Sequence, residues 1–178
     1  MTPVTSEADR QRLLRIARDA LTGHLTGAVP AATPIQTSAV AGVFVTLHKE
    51  GELRGCIGCV DAHEPLAHVV PRYAVAAGTA DPRFPALTAP ELSLIVIELS
   101  ILSPLEPVAS VQDIEVGRHG LVVEADGQRG LLLPQVATEW RWDRHTFVAQ
   151  TCRKAGLPLD AWTKGARVWR FEAEVFSE

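Results

Sequence analysis

The sequence of 178 residues has few cysteines, few aromatic residues and no long hydrophobic run. Its longest central aliphatic run, Leu94 to Ile97, is far shorter than the roughly 20 residues that cross a bilayer, so we predict no membrane-spanning segment. The segment from Met1 to Gln11 is polar and charged, which is not the pattern of a secretory signal. We therefore expect a cytoplasmic protein whose three cysteines are reduced thiols.

The charge balance is slightly acidic, with a net charge of −4 and a pI of about 5.9. Domains that bind nucleic acid are usually basic, so we do not expect nucleic acid as a partner. Residues 129–170 are a local exception, because they hold eight basic side chains against three acidic ones. This segment either steers an anionic ligand or forms a solvated basic surface. The remaining composition, 47% hydrophobic and 21% charged, is typical of a single globular domain, which we assign to residues 1–178.

The first half of the sequence predicts two helices and a β-hairpin. Ser6 and Asp9 resemble a capping box at the start of an apolar stripe, and Gly23 predicts its end. Pro71 predicts a kink or break in the second helix, and residues 27–37 predict a proline-rich connector. The predicted elements are a helix at 7–22, strands at 39–48 and 53–60 around a turn at 49–52, a helix from Pro65, a loop at 81–85, a capped turn at 88–91 and a strand at 92–102 covered on both faces.

The second half predicts another hairpin with helices after it. Its turn is Asp126-Gly127, and Asp143 caps a helix whose apolar stripe includes Cys152, so we expect Cys152 in the core. The predicted elements are strands at 120–125 and 129–133, a helical stretch at 134–142, a helix from Asp143 to Gly156 and one strand at 167–176 with Trp169, Phe171, Ala173 and Val175 on its buried face.

The two hairpins resemble each other, because each has a glycine in its turn and an Arg-Gly pair in its returning strand, Arg54-Gly55 and Arg129-Gly130. Helix follows both. The pattern predicts an α+β fold with mostly antiparallel sheet, built from two related hairpin-plus-helix halves.

The most unusual stretch runs from Leu53 to Cys59 with the sequence LRGCIGC. Cys56 and Cys59 have C-x-x-C spacing, which suggests a redox pair or a zinc site. Strand alternation places the two cysteines on opposite faces unless Gly58 forms a bulge, and with His63 they supply only three nearby ligands. We therefore predict no metal and no cofactor.

The same alternation predicts that Arg54 and Cys56 share a face. A guanidinium beside a thiol favours the thiolate and binds a carboxylate or phosphate, while Gly55 and Gly58 let another backbone or a ligand approach closely. The alternative is a small buried cysteine in a tightly packed strand whose glycines serve packing.

Several segments together resemble the AMMECR family. They are Val43 to Leu47, Leu53 to Gly58, Asp81 to Pro85, Glu91-Leu92, His119 to Leu121, Leu132 to Val136 and Cys152 to Leu157, in the family's order. The resemblance implies two unequal α+β lobes. It places the strand that contains Leu53 to Gly58, which we call the signature strand, near the cleft between them, and it implies no established reaction. It also implies a pathway shared with Memo-type and radical-SAM proteins. Cys59 departs from the family pattern, where a hydroxyl residue is more common, so the C-x-x-C spacing is interpreted as incidental.

Five further residues are candidates for the site. Asp81 and Arg83 either orient a ligand or pin a proline-rich loop, and Glu98 interrupts an apolar strand, so we expect Arg54 or Arg83 to neutralise it. His119 either serves as a general base or lies on the surface, and Gln135 is expected to donate hydrogen bonds to a ligand.

Two functions are consistent with these residues. The first is a cysteine-dependent enzyme or catalytic subunit for a small polar or anionic molecule, with Cys56 and His119 catalytic and the ligand held by Arg54, Gly55, Gly58, Asp81, Arg83, Glu98 and Gln135. The second is a non-catalytic interaction module that uses the same cleft.

Overall fold

A computed structural model describes residues 5–29, 39–61 and 63–178, and most of the predicted connector at 27–37 lies outside these ranges. The described residues form two units: residues up to Leu102 with Glu174–Glu178 (unit 1), and Ser103–Ala173 (unit 2). The helices are α1 (Glu7–Thr26), α2 (Leu66–Thr79), α3 (Pro134–Glu139) and α4 (Arg144–Lys154). The strands are β1 (Val43–Lys49), β2 (Glu52–Cys59), β3 (Ile95–Leu102), β4 (Glu106–Pro107), β5 (Gly120–Ala125), β6 (Gln128–Leu132), β7 (Arg167–Phe171) and β8 (Ala173–Ser177).

Unit 1 packs α1 and α2 against one face of a four-stranded sheet with the order β2-β1-β3-β8. The predicted apolar stripe of α1 is buried, and the alternate residues Val43, Val45 and Leu47 of β1 are fully buried beneath it. The Ser6 hydroxyl caps α1 by accepting the N–H of Asp9. These contacts confirm the α+β class.

Two helix predictions need correction. α1 continues through Gly23 to Thr26 and ends at Gly27, whose φ of 73° forms the left-handed cap that donates to the Gly23 carbonyl. α2 runs without a break past Pro71. The proline removes only one backbone hydrogen bond, and the burial of Val70 and Ala74 on either side holds the helix together.

The strand predicted at 92–102 begins at Ile95, because residues 89–94 form a 3₁₀ helix capped by Thr88 and Glu91. The capping box is confirmed. The prediction that both faces of this strand are covered is wrong for the first part of β3, where Val96 is 43% exposed.

Unit 2 has a sheet with the order β4-β7-β5-β6 and a core that includes Leu121, Val123 and Phe147. Cys152 on α4 is fully buried in this core, as its stripe predicted, and burial raises the pKa of its thiol. The single strand predicted at 167–176 is wrong. It divides into β7 and β8, which belong to different sheets.

The division also changes which side chains are buried. In β7, Val168 rather than Trp169 packs against the core of unit 2. In β8, Glu174 is buried and accepts hydrogen bonds from Thr5 and Arg10, whereas Val175 is 48% exposed. The buried charge pairing of Glu174 therefore overrides the apolar alternation.

The two units repeat one local arrangement. Each has a hairpin whose first strand pairs antiparallel with the strand after the helical segment, β1 with β3 and β5 with β7. Positive φ at Glu50-Gly51 and at Asp126-Gly127 indicates the same tight type of turn. A Cβ at Gly55 would lie 2.0 Å from the Ala77 carbonyl oxygen, and one at Gly130 would lie 2.3 Å from the Ala155 nitrogen. The predicted resemblance of the two halves therefore includes a glycine in the second strand of each hairpin, where the absence of a side chain lets helix backbone approach closely.

Candidate functional site

The signature strand β2 is an edge strand of the unit 1 sheet. Thr46 of β1 lies opposite Cys56 of β2 on one side and opposite Glu98 of β3 on the other. These three residues form a row across the sheet, which we call the polar row. The Thr46 hydroxyl donates to the Cys56 Sγ across 3.3 Å. The row lies on the face opposite the apolar core, because its strand neighbours Val45, Ile97 and Leu99 are fully buried in that core.

Cys59 lies on the other face of β2, as alternation predicted. The Tyr73 hydroxyl of α2 interacts with Cys59, and this interaction is the largest cause that raises the pKa of Tyr73. The Cys59 Sγ is 3.4 Å from the Asp61 carbonyl oxygen. In residues 5–29, 39–61 and 63–178, no group of three or more His, Cys, Asp or Glu side chains is placed to hold a metal ion.

A bulge in β2 lies at Arg54 rather than at Gly58. Leu47 pairs with Gly55 and His48 pairs with Leu53, so the register passes over Arg54. A bulge re-aims the side chain of the extra residue. The alternation argument that paired Arg54 with Cys56 therefore fails at this position, and the Arg54 guanidinium contacts Glu91 and the Pro85 carbonyl oxygen instead.

Glu91 binds two cationic side chains as well as the backbone, whereas the sequence analysis identified it only as a helix cap. Its carboxylate accepts hydrogen bonds from Lys49 Nζ at 2.9 Å, from Arg54 Nε at 3.2 Å and from the Thr88 N–H at 3.0 Å. The Lys49 contact is the largest cause that lowers the pKa of Glu91 to about 2. The cap motif was the available signal, but its cationic partners are about 40 residues away in sequence.

Asp81 and Arg83 pin the loop after α2 to the edge of the sheet. The buried Asp81 carboxylate accepts the Cys56 N–H at 2.9 Å, the Arg83 N–H, and both Nε and Nη2 of Arg83. The Arg83 hydrogen bonds are the largest cause that holds the pKa of Asp81 well below its ordinary range. Of the two roles predicted for this pair, these contacts account for the loop-pinning one.

Glu98 is neutralised by neither arginine predicted for it, since Arg54 pairs with Glu91 and Arg83 with Asp81. The cation-capable group nearest to it is His48, whose Nε2 is 3.8 Å from Glu98 Oε1. Among the described residues, the Glu98 carboxylate accepts no hydrogen bond, although its side chain is only 27% exposed. The buried atoms His48 Nε2 and Ser100 Oγ also lack a hydrogen-bond partner among those residues. His48 lies two residues after Thr46 on β1, and Ser100 lies two residues after Glu98 on β3. The sequence analysis identified neither residue.

The thiol of Cys56 is partly buried, and burial is the largest cause that raises its pKa. The Thr46 hydrogen bond and the positive charge of Arg83 act in the opposite direction without reversing the shift. The expectation that a neighbouring guanidinium produces a thiolate is therefore wrong for the resting site, because Arg54 is held by Glu91 and desolvation outweighs Arg83.

The glycines of the signature strand serve packing. The Ala77 carbonyl oxygen occupies the space beside Gly55. A Cβ at Gly58 would lie 2.1 Å from the Val43 carbonyl oxygen and 2.7 Å from the Phe44 ring. The close approach of another backbone is therefore confirmed for Gly55 and Gly58. Because protein atoms fill the space beside both glycines, a ligand cannot bind there.

His119 and Gln135 belong to unit 2. His119 is only 7% exposed, which excludes the surface interpretation, and its Nδ1 accepts the Glu115 N–H at 2.9 Å. Burial, followed by the charges of Arg170 and Arg118, lowers its pKa. A general-base role at Nδ1 is therefore excluded unless the loop bond breaks. Gln135 is partly buried at the second position of α3, and its carbonyl oxygen accepts the Thr138 hydroxyl.

These observations define an α+β protein whose signature strand contributes a cysteine to a polar sheet face. The AMMECR1 family model matches residues 14–176, and the chain belongs to that family. A protein from Methanothermobacter thermautotrophicus is 46% identical over 97% of this chain and 96% of its own length. Protein MJ0810 from Methanocaldococcus jannaschii is 42% identical over 93% of this chain and 88% of its own length.

A solved structure has the same fold. The crystal structure of uncharacterized protein PH0010 from Pyrococcus horikoshii matches with a TM-score of 0.90 and 39% identity, covering 99% of this chain and 94% of that chain. No helix among the described residues is long and apolar enough to cross a membrane.

Proposed function

We propose that the polar row of unit 1 binds a small polar molecule and that Cys56 contacts this molecule as a protonated thiol. The observation that carries the proposal is the Glu98 carboxylate, which lies in the polar row and accepts no hydrogen bond from the described residues, although its side chain is only 27% exposed. A ligand with N–H or O–H donors would supply the hydrogen bonds that Glu98 lacks among the described residues.

The charges around the row favour a ligand with N–H or O–H donors over an anion. Arg54 and Arg83, which the sequence analysis assigned to an anion, each face a carboxylate at 3.2 Å and 2.7 Å respectively. Lys49 shares Glu91 with Arg54. With these cations paired, Glu98 is the charged group that has hydrogen-bonding capacity to spare, and its capacity is for donors.

A catalytic role for Cys56 follows a defined route in this proposal. The resting thiol is protonated, so it acts first as a hydrogen-bond or proton donor to the bound molecule and not as a preformed nucleophile. We further propose, from the family resemblance, that the reaction belongs to a pathway with Memo-type and radical-SAM proteins.

A non-catalytic interaction module is the second candidate. Leu53 and Val96, which lie on either side of His48 in the sheet register, are 40% and 43% exposed. This apolar pair next to the row suits contact with a protein partner. In that case Cys56 and Glu98 would line the contact surface without a small molecule.

Site-resolved alkylation separates the two candidates. Purified protein is incubated with fractions of a cell metabolite extract, and alkylation of each cysteine by iodoacetamide is followed by peptide mass spectrometry. A ligand on the polar row slows alkylation of Cys56 and leaves Cys59, on the opposite face, unchanged. Glu98→Gln should abolish this protection, whereas Cys59→Ser should retain it. If no fraction protects Cys56, the small-molecule proposal fails and the interaction module remains.

A further inference from the structure

Unit 2 contains a cavity of about 590 Å³ that has no part in the proposed function. It lies between the end of β4 and the beginning of β7, since residues 107–111 and residues 166–169 both line it. Its volume is within the roughly 300–1,000 Å³ that is typical of binding pockets. We infer that this cavity is a docking site for an extended apolar peptide of a partner protein, which adds a strand to the open edge of β7.

The backbone of β7 is only partly paired on the side of β4. β4 pairs with Arg170 and Trp169 of β7. The Val108 N–H then donates to the Val168 carbonyl oxygen at 2.9 Å, and after this bond the chain leaves the edge. The Val168 N–H points to the same side as its carbonyl group, as does the carbonyl group of Ala166 two residues earlier. Within the described ranges, the Val168 N–H and the Ala166 carbonyl oxygen have no hydrogen-bond partner.

These two backbone groups match those of an added strand. An antiparallel peptide opposite Arg167 would accept the Val168 N–H with one carbonyl oxygen and donate one N–H to the Ala166 carbonyl oxygen. In strand addition, such main-chain bonds give affinity, and pockets for alternate side chains give specificity. An open sheet edge beside a cavity therefore indicates a peptide as the occupant.

The cavity supplies an apolar pocket for a side chain of this peptide. Ile114 and Val148, both 1% exposed, line it together with Trp162 and Trp169. The two hydroxyl side chains in its lining are hydrogen-bonded to the backbone of their own turns. The lining therefore favours an aliphatic or aromatic side chain over a polar one.

The charge of the lining restricts the partner further. Arg167 contributes a positive charge to the cavity, and its Cζ is 5.1 Å from the centre of the Trp169 ring. Among the residues that the structure describes, no carboxylate lines the cavity, because Glu124, the ion-pair partner of Arg167, lies outside it. We therefore expect an acidic residue, and no basic residue, beside the apolar part of the peptide.

Fluorescence polarisation of synthetic peptides tests the inference on the full-length protein. Five labelled hexapeptides alternate Thr with Val, Ile, Leu, Phe or Trp and end in Asp, and a Thr-only peptide is the reference. At least one apolar peptide should bind about tenfold more tightly than the reference. N-methylation of its backbone retains the side chains and removes the N–H donors, so it should weaken binding by about tenfold, the amount that two hydrogen bonds contribute. Lys in place of the Asp should also weaken binding.

Two protein variants complete the design. Ala109 is exposed and lines the cavity, so Ala109→Trp should fill it and abolish binding. Ala86→Trp, at an exposed position of unit 1, should bind as the wild type does.

Four results would overturn the inference. The first is that no hexapeptide binds with a Kd below about 1 mM. The second is that N-methylation has no effect, which would indicate a site for apolar small molecules. The third is equal binding by Ala109→Trp and Ala86→Trp. The fourth is a wild-type dimer in sedimentation that Ala109→Trp dissociates, because a second copy of the chain would then be the occupant.

Discussion

The substitution Gly55→Ala tests whether the signature strand is shaped for packing or for a ligand. The added methyl group would lie 2.0 Å from the Ala77 carbonyl oxygen, and ordinary contact begins at 3.4 Å. The strand and helix must therefore separate by about 1.4 Å at this point. Both contacting groups are rigid backbone, so no side-chain rotation relieves the clash.

The expected loss of stability is about 3 kcal/mol, the upper part of the range for overpacking a well-filled core. For a chain of 178 residues this corresponds to a fall in melting temperature of roughly 6–12 °C. Urea denaturation monitored by far-UV circular dichroism measures this loss in the free energy of unfolding directly.

Gly78→Ala is the matched control on the same helix. Its methyl group would lie 3.0 Å from Leu21 Cδ1, the end of a flexible side chain, and in ordinary contact with Leu47 and Leu87 at 3.5 Å, so the stability should change by less than about 1 kcal/mol. Gly130→Ala should lose about as much as Gly55→Ala, because it meets the Ala155 backbone in the same way. A Gly55→Ala protein as stable as the wild type that no longer protects Cys56 from alkylation would refute the packing argument and restore a ligand role.

Four further predictions concern titratable and buried groups. The lowered pKa of Glu91 contributes stability above about pH 4.5 that is lost as the pH falls towards 2, so Glu91→Gln should flatten this part of the stability curve; an unchanged acid transition contradicts the pairing of Glu91 with its two cations. The lowered pKa of His119 means that the unfolded chain binds the proton first, so stability should fall as the pH drops below about 6.5, and His119→Asn should remove that slope in urea titrations. Because the pKa of Cys56 is raised, its alkylation rate should reach half-maximum above about pH 8.5, and a midpoint near neutrality would show a preformed thiolate. Cys152→Ala should cost about 1 kcal/mol in calorimetry without changing protection of Cys56, and a loss of that protection would show that Cys152 does more than fill the core.

The features that could be predicted from the sequence are those that neighbouring residues determine. The turns at Glu50-Gly51 and Asp126-Gly127, the caps at Ser6, Asp143 and Thr88, and the opposite faces of Cys56 and Cys59 all follow from local conformational preference. The Arg-Gly pairs also marked the two strands against which helix backbone packs. These local signals were sufficient for the α+β class and for the repeated halves.

The tertiary structure decided which charges meet. Arg54 is two residues from Cys56 in sequence, yet the bulge turns it to Glu91, 37 residues away. Glu98 is therefore left beside His48, and the final strand divides into β7 and β8, of which β8 buries Glu174 against Arg10. Alternation describes a regular strand only, and one extra residue or one buried ion pair reverses it. Sequence alone thus determined the turns, the caps and most of the elements. The division of the last strand, the partners of each charge and with them the chemistry of the site depended on contacts between distant segments.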